Sequence, residues 1–232
     1  MNKSAWRMVE ERLMHSILPF LLLGLTTTTL WARNPGKTSA PKTRIPTVLV
    51  LGDSLSAGYG LKRSEAYPAL IGEKAAASGW QIHVVNAGVT GDSTAGGLRR
   101  LPRLLERHLD VLLIELGIND FFRGVPVAEI ESNLQKIIDR ARARYPEIQI
   151  VITGMQFPQY SNGDNLTAFG ALYGELAQRN HAGLVPFLLD RVAGHPALNL
   201  PDLIHPNASG QKILAENVWP ALQSALRQLP KS

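Results

Sequence analysis

The hydrophobic positions of the chain alternate between short apolar runs and longer stretches with helical spacing. The run from Thr47 to Leu51 is apolar throughout and ends at Gly52, which is typical of a strand buried on both faces. Similar runs predict strands over 83–85, 111–116, 148–152 and 184–189. Apolar residues three and four apart predict helices over 67–77, 94–107, 127–144 and 167–178, and a last helix that begins near Asn207. This alternation predicts an α/β fold with helices on both faces of a parallel sheet.

The first 32 residues have a different pattern. Three basic residues precede an apolar run from Ile17 to Leu25, and Ala32 follows as a small residue. This order is typical of a secretory signal peptide, and the run is well short of the ~20 residues that span a bilayer. We therefore expect residues 1–32 to be a signal peptide or, if uncleaved, an N-terminal anchor that contacts the membrane. Residues 33–46 are a polar linker, and 47–232 form the folded domain.

Composition narrows the classes of function. The chain is 45% hydrophobic and 19% charged, an ordinary balance for a globular protein. Its net charge is +5, but the basic residues are scattered without interleaved aromatic residues, which argues against a nucleic-acid partner. The chain has no cysteine, so disulfides, thiolate metal ligands and a cysteine nucleophile are excluded.

A serine between glycines follows the first predicted strand, at the edge where sheets of this class bind ligands. The segment Gly52-Asp53-Ser54-Leu55-Ser56 allows a sharp backbone turn and the close approach of a substrate. It lacks the Walker phosphate-loop pattern and the dinucleotide-binding spacing, and it is not a Gly-x-Ser-x-Gly elbow. Ser54 is therefore a candidate nucleophile.

Two further segments offer hydrogen-bond donors to a developing negative charge. Gly91 follows the second strand and presents an unhindered backbone N–H, although the same segment also fits a turn capped by Asp92 or Ser93. Asn119 follows the third strand, where a buried amide is costly unless its hydrogen bonds are used. Its amide either ties neighbouring loops together or donates to an oxyanion.

An acid and a histidine lie just before the last predicted helix. Asp202 precedes His205 by three residues, in a loop stiffened by Pro201 and Pro206. The carboxylate can fold back onto the imidazole, fix its tautomer and stabilise the imidazolium. The Asp-x-x-His spacing alone is also typical of an ordinary surface loop.

Taken in order, these four segments resemble the four sequence blocks of the SGNH (GDSL) hydrolases. Within that superfamily the chain is similar to the thioesterase I, arylesterase and lysophospholipase group, from about Thr47 to Leu226. The resemblance implies a three-layer α/β/α sandwich, flavodoxin-like, with a five-stranded parallel sheet. It also implies an exported serine esterase, periplasmic or secreted, that forms an acyl-enzyme and needs no metal or cofactor. Its expected substrates are small-molecule or lipid esters and thioesters, including aryl esters and lysophospholipids.

The same resemblance implies a role for each matching residue. Ser54, Asp202 and His205 correspond to the catalytic triad, and Ser54, Gly91 and Asn119 correspond to the oxyanion hole. The chain departs from the family pattern at Leu203, where a glycine is frequent, and in two segments that carry aromatic residues. These candidate substrate-binding residues either line an acyl or aryl groove or cap the core: Phe121, Phe122, Phe157 and Tyr160.

Two other functions fit the same fold. One is a carbohydrate esterase that removes O-acetyl groups from polysaccharides, and activity on medium-chain aryl esters would argue against it. The other is a catalytically silent module that binds lipids or glycans. A silent module is expected to have lost part of the triad, whereas every catalytic position is filled here.

Overall fold

The computed structural model describes residues 44–156 and 164–230. Five strands form one parallel sheet in the order β2-β1-β3-β4-β5. The strands are β1 (Thr47–Gly52), β2 (His83–Gly88), β3 (Val111–Glu115), β4 (Gln149–Thr153) and β5 (Gly183–Val185). This is the strand order of flavodoxin-like sheets, so the predicted α/β fold with a five-stranded parallel sheet is confirmed.

Seven α-helices accompany the sheet in the described residues. They are α1 (Ser54–Ala57), α2 (Tyr67–Ala77), α3 (Thr94–Leu104), α4 (Ile118–Phe122), α5 (Val127–Arg144), α6 (Asp164–Arg179) and α7 (Ala208–Arg227). The bounds of α2 and α5 are those that the hydrophobic spacing predicts. Helices α1 and α4 were not predicted, because a helix of about one turn is too short to show a 3.6-residue repeat. None of the helices in these two ranges is long and apolar enough to span a bilayer.

Several predicted element ends differ from those in the structure, and the largest difference is in the fifth strand. The fifth strand was predicted over 184–189 but ends at Val185, since Pro186 has no N–H to donate to the sheet. The third helix was predicted to reach Arg107 but ends at Leu104. Just beyond this end, the carbonyl oxygens of Leu105 and Arg107 accept from the Tyr145 hydroxyl. These contacts take the place of the hydrogen bonds that a continued helix would supply to the two carbonyl groups. Strand β2 runs three residues beyond its predicted end.

The core lies on both faces of the sheet. Every residue of β3 is buried, as expected for the central strand of a parallel sheet. Helix α2 packs against α7, and α5 packs against both α3 and α6, so that two helical layers enclose the strands. The parallel register places Gly52 beside Gly88 on one side and beside Glu115 on the other. The three segments that follow these residues therefore leave the sheet at the same edge.

The predicted signal peptide or anchor over 1–32 lies outside the described residues, as do residues 33–43 of the predicted linker. Helix α7 begins as the sequence predicts. Asn207 is its N-cap, and the side-chain oxygen accepts the backbone N–H groups of Ser209 and Gly210 at 2.9 and 3.1 Å. Because the Asp-x-x-His segment directly precedes this cap, the start of α7 holds one end of that loop.

Candidate active site

Ser54 is the first residue of α1 and follows β1 after a single residue. That residue, Asp53, caps the helix by accepting the Leu55 N–H at 3.0 Å. Gly58 ends the helix at a φ of 75°, a left-handed conformation that favours glycine. The turn therefore presents Ser54 at the carboxyl edge of the sheet on a helix fixed at both ends.

Two glycines at this edge are required by close approach. A Cβ on Gly52 would lie 2.1 Å from Ser56 Oγ and 2.5 Å from Glu115 Oε2. A Cβ on Gly88 would lie 2.3 Å from the backbone nitrogen of Ala57. Both contacts are far below the range of ordinary non-bonded contacts, so the nucleophile turn packs this closely only against glycine.

The structure brings the three predicted triad residues together. His205 Nε2 lies 3.1 Å from Ser54 Oγ, and His205 Nδ1 lies 2.7 Å from Asp202 Oδ2. The other oxygen of Asp202 accepts the backbone N–H groups of Ile204 and His205, both at 3.0 Å. The backbone N–H of His205, helped by its imidazole, lowers the pKa of Asp202 to about 2. An ionised Asp202 accepts from Nδ1–H, which leaves Nε2 free to accept the Ser54 proton.

The aromatic ring of Tyr59 covers the imidazole of His205. Their ring centroids are 4.3 Å apart with an interplanar angle of 36°. The backbone carbonyl of His205 also accepts the Leu200 N–H at 2.7 Å, so both the ring and the main chain of the histidine are held. Tyr59 was not predicted as a site residue, and the available signal was an aromatic residue between Gly58 and Gly60 in the nucleophile segment.

Gly91 lies in a turn whose shape requires glycine, because its φ is 74°. The Arg123 guanidinium donates to the Gly91 carbonyl oxygen at 2.7 Å and holds this peptide in place. Of the two capping residues that the sequence allowed here, the structure uses Ser93, whose Oγ accepts the Gly96 N–H at the start of α3. The Asp92 carboxylate instead accepts from Arg100 Nε at 2.7 Å.

The Asn119 amide ties two loops together. Its Nδ2 donates to Asp53 Oδ2 at 2.8 Å and to the backbone carbonyl of Asp92 at 3.1 Å. One partner directly precedes Ser54, and the other directly follows Gly91. Of the two roles that the sequence left open, this contact set is the loop-tying one. It also places the amide donor between the two loops that carry the other oxyanion candidates.

A buried carboxyl pair that the sequence analysis missed lies under the nucleophile. Glu115 is fully buried, and its Oε2 accepts the Asp53 N–H at 3.0 Å and the Ser56 hydroxyl at 2.7 Å. Ser56 Oγ in turn lies 2.6 Å from the Tyr67 hydroxyl. Burial raises the pKa of Glu115 well above its usual value and the pKa of Asp53 to about 6. The sequence signal was an acid that ends the apolar run of β3.

The four aromatic residues predicted to bind substrate fall into two groups. The Phe121 ring packs against Phe169 of the core at a centroid distance of 4.5 Å, which is the contact expected from the core-capping alternative. Phe122 is 69% exposed at the carboxyl edge of the sheet. Phe157 and Tyr160 lie outside the described residues.

Known proteins of one family are similar to this chain. The model of the GDSL-like Lipase/Acylhydrolase family matches residues 50–213. The chain is 40% identical to Esterase TesA of Pseudomonas aeruginosa, over 78% of this chain and 89% of that protein. It is 38% identical to an arylesterase of Vibrio mimicus, over 74% and 85% of the two chains. It is 37% identical to Thioesterase 1/protease 1/lysophospholipase L1 of Escherichia coli, over 89% and 90%.

A solved structure shares the fold. The crystal structure of TesA superposes with a TM-score of 0.72 at 40% sequence identity. The match covers 77% of this chain and 99% of that one. The chain is thus similar to these relatives over most of their own length. The matched region includes the strands and loops that hold the candidate site.

Proposed function

The chain belongs to the GDSL-like lipase/acylhydrolase family and is a serine esterase, and we propose that it works through an acyl-enzyme on Ser54. The observation that carries this proposal is the continuous contact from Ser54 Oγ through His205 to Asp202, at 3.1 and 2.7 Å. A nucleophile, a base and an orienting acid within hydrogen-bond distance are the parts that acyl transfer requires.

In the proposed reaction, Ser54 Oγ attacks the acyl carbonyl while His205 Nε2 takes the hydroxyl proton. Asp202 stabilises the imidazolium that forms. The tetrahedral intermediate then collapses, the bond to the leaving group breaks, and His205 returns its proton to the leaving oxygen or sulfur. In the second half, a water molecule gives its proton to His205 and attacks the acyl-enzyme, which releases the acid and regenerates Ser54.

We propose that the oxyanion is held by the backbone N–H groups of Ser54 and Gly91 and by the Asn119 amide. In the resting site the Asn119 amide donates to Asp53 Oδ2 and, at the longer distance of 3.1 Å, to the Asp92 carbonyl. The longer hydrogen bond is the one that we expect to be shared with the oxyanion. The hydrogen bond to the buried carboxylate then keeps the amide in position.

For the substrates, we propose carboxylic esters and thioesters, among them aryl esters, acyl thioesters and lysophospholipids. The support is the set of activities in the names of the relatives: an esterase, an arylesterase and a thioesterase/lysophospholipase. The contribution of Phe122, Phe157 and Tyr160 to acyl binding stays a prediction. Their replacement by alanine tests it through the chain-length profile of kcat/KM.

We also propose that residues 1–32 direct the chain out of the cytoplasm. The order of basic residues, apolar run and small residue supports this proposal. Fractionation of cells that express the full chain with a C-terminal tag is the test. We expect the tagged protein in the periplasm or medium with its first segment removed, and a full-length protein in the cytoplasmic fraction would contradict export.

The test of the catalytic proposal is hydrolysis of p-nitrophenyl esters of increasing acyl length by the parent and by Ser54→Ala. The matched control is Ser209→Ala, an exposed serine on α7. We expect Ser54→Ala to lose at least about a thousandfold in kcat and the control to match the parent. A parent that releases a burst of p-nitrophenol stoichiometric with enzyme would support the acyl-enzyme. Full activity in Ser54→Ala would reject the nucleophile.

A further inference from the structure

Exposed apolar side chains are concentrated around the candidate site. Among the described residues, six large apolar side chains are exposed: Ile45 (51%), Tyr59 (45%), Val89 (47%), Phe122 (69%), Leu203 (58%) and Ile204 (62%). Five of them lie at the carboxyl edge of the sheet, where Ser54 and His205 also lie: four are in loops, and Phe122 is the last residue of α4. Ile45 is the exception, because it precedes β1 at the opposite edge. Scattered exposed apolar residues need no explanation, but a group around one site indicates an interaction surface.

Four of these residues, which we call the apolar rim (Tyr59, Val89, Leu203 and Ile204), belong to the loops that form the site. Tyr59 packs on the His205 ring. Leu203 and Ile204 are the two residues between Asp202 and His205. Val89 lies in the Gly91 turn, where its carbonyl accepts the Asp92 N–H at 3.0 Å. The rim therefore borders the opening through which a substrate reaches Ser54.

Leu203 is unfavourable on two counts for a protein that contacts only water. Its φ is 59°, in the left-handed region that disfavours every side chain with a Cβ and suits glycine. It is also more than half exposed, so its side chain contributes little to the core. A leucine that is both strained and exposed adds nothing evident to folding, which points to a partner outside the chain.

Two cations flank the apolar rim. Arg63 and Arg123 are both exposed. Arg63 donates to the backbone carbonyl oxygen of Asn86 near the end of β2, and Arg123 donates to that of Gly91 in the loop that follows. A contact with a carbonyl oxygen orients a guanidinium but does not neutralise its charge. The surface around Ser54 thus combines apolar side chains with two guanidinium groups, beside the Asp202 carboxylate that is paired with His205. Apolar side chains with neighbouring cations are the pattern that binds the interface of an anionic bilayer.

We propose that the apolar rim, with Arg63 and Arg123, docks the esterase on the surface of anionic phospholipid. The apolar side chains enter the boundary between head groups and acyl chains, and the guanidinium groups pair with lipid phosphates. The proposal rests on the proposed function only in that docking places Ser54 against the lipid surface. The side-chain chemistry of the docking surface is independent of the triad.

Binding to vesicles tests the docking surface without catalysis. The full chain carrying Ser54→Ala is mixed with sucrose-loaded vesicles of phosphatidylglycerol and phosphatidylcholine, or of phosphatidylcholine alone, and sedimented. We expect binding to the anionic vesicles, weakened about tenfold by the pair Leu203→Gly and Ile204→Ser. Arg63→Gln with Arg123→Gln removes the preference for anionic lipid. The matched control is Ile45→Ser, at a residue that is also more than half exposed but lies at the other edge of the sheet.

Position-specific fluorescence separates the rim from any lipid contact of the first 32 residues. Tryptophan is placed at Ile204 or, as control, at Ile45, and its emission is measured with vesicles that contain brominated lipid. We expect quenching of Ile204→Trp beyond that of the parent and none for Ile45→Trp. Equal quenching at both positions, or vesicle binding unaffected by the rim variants, would overturn the proposal.

A soluble substrate separates docking from acyl binding. Leu203→Gly is expected to keep the parental kcat and KM on monomeric p-nitrophenyl acetate, and to melt at the same or a higher temperature, since glycine suits a φ of 59°. A raised KM for monomeric esters would make Leu203 part of the acyl site and overturn docking. Failure of the catalytic proposal looks different: Ser54→Ala would stay active while vesicle binding persisted.

Discussion

The two oxygens of the Asp202 carboxylate make different contacts, which makes Asp202→Asn an informative substitution. Oδ2 accepts from His205 Nδ1 at 2.7 Å, whereas Oδ1 accepts two backbone N–H groups at 3.0 Å. In the asparagine variant we expect the amide oxygen to occupy the position of Oδ1 and to accept the same two backbone N–H groups. An NH₂ group in that position would point its hydrogens at two other donors. The NH₂ group then donates to Nδ1, which moves the imidazole proton to Nε2. A protonated Nε2 faces Ser54 Oγ and cannot take its proton.

The structure also sets the size of the loss. In a buried triad the same substitution lowers kcat by ~10⁴. Here the Asp202 side chain is 36% exposed and the His205 side chain 19%, so water competes for the imidazole and screens the charge. We therefore expect a loss of about a thousandfold in kcat. Asp202→Ala removes the carboxylate that accepts from Nδ1 but supplies no amide NH₂ to donate to it. We therefore expect Asp202→Ala to lose less in kcat than Asp202→Asn, and to melt at a lower temperature because the two backbone N–H groups lose their acceptor.

The assay is steady-state hydrolysis of p-nitrophenyl butyrate by the parent and both variants over a range of pH. Because the pKa of Asp202 is about 2, this acid stays ionised above pH 4, and the parental profile should show no limb from its titration. Thermal melts check that Asp202→Asn keeps its loop. A folded Asp202→Asn enzyme within tenfold of the parental kcat would refute the assigned tautomer.

Three further outcomes follow from the buried contacts of the site. Asn119→Ala should lower turnover about a hundredfold or more, because the oxyanion loses a donor. It should also lower the free energy of unfolding by about 1–3 kcal/mol, because the Asp53 carboxylate loses a buried donor. Ester kinetics and urea unfolding measure the two effects, and unchanged turnover would exclude the amide from the oxyanion hole. Gly52→Ala should lower the free energy of unfolding by about 1–3 kcal/mol, since the new Cβ would lie 2.1 Å from a buried serine hydroxyl. Its control, Gly170→Ala in the interior of α6, meets no atom within 4 Å and should stabilise the helix by up to about 1 kcal/mol in the same urea titration. Stability should also fall as pH rises from 3.8 to about 6, because burial raises the pKa of Asp53 from 3.8 to about 6 and the stabilising contribution of its protonated form is lost as the group ionises. Urea titrations across this pH range measure that loss. Burial also raises the pKa of Glu115 well above its usual value of 4.5, so its stabilising contribution is likewise lost as pH rises above 4.5. Glu115→Gln should therefore flatten the pH–stability curve above pH 4.5, and parallel curves for variant and parent would contradict that role.

Much of the fold could be predicted from local pattern. Helices α2 and α5 have the predicted bounds because they are long enough to show the helical repeat, and β3 was predicted because a strand buried on both faces is apolar throughout. The ends of elements were less predictable. Pro186 shortens β5, and the Tyr145 hydroxyl accompanies the early end of α3, which depends on a residue about forty positions away.

The segments of the candidate site could also be predicted, because the four segments follow the apolar strands in the order of the SGNH sequence blocks. Each segment alone is also typical of an ordinary turn or surface loop. Those residue types are visible in one sequence. Their individual contacts were not: the sequence allowed Asp92 or Ser93 as the cap of α3, and it allowed Asn119 to tie loops or to bind an oxyanion. A choice between such alternatives requires the positions of atoms from other segments.

The tertiary structure alone decided what lies behind and around the nucleophile. The Glu115 carboxyl group beneath Asp53, the Tyr59 ring on His205 and the apolar rim all join residues that are far apart in sequence. Hydrophobic periodicity reports which face of an element is buried, whereas these contacts depend on the register of β1 against its neighbours and on where each loop leaves the sheet. Register is a property of paired strands, and a pattern read along a single strand does not contain it.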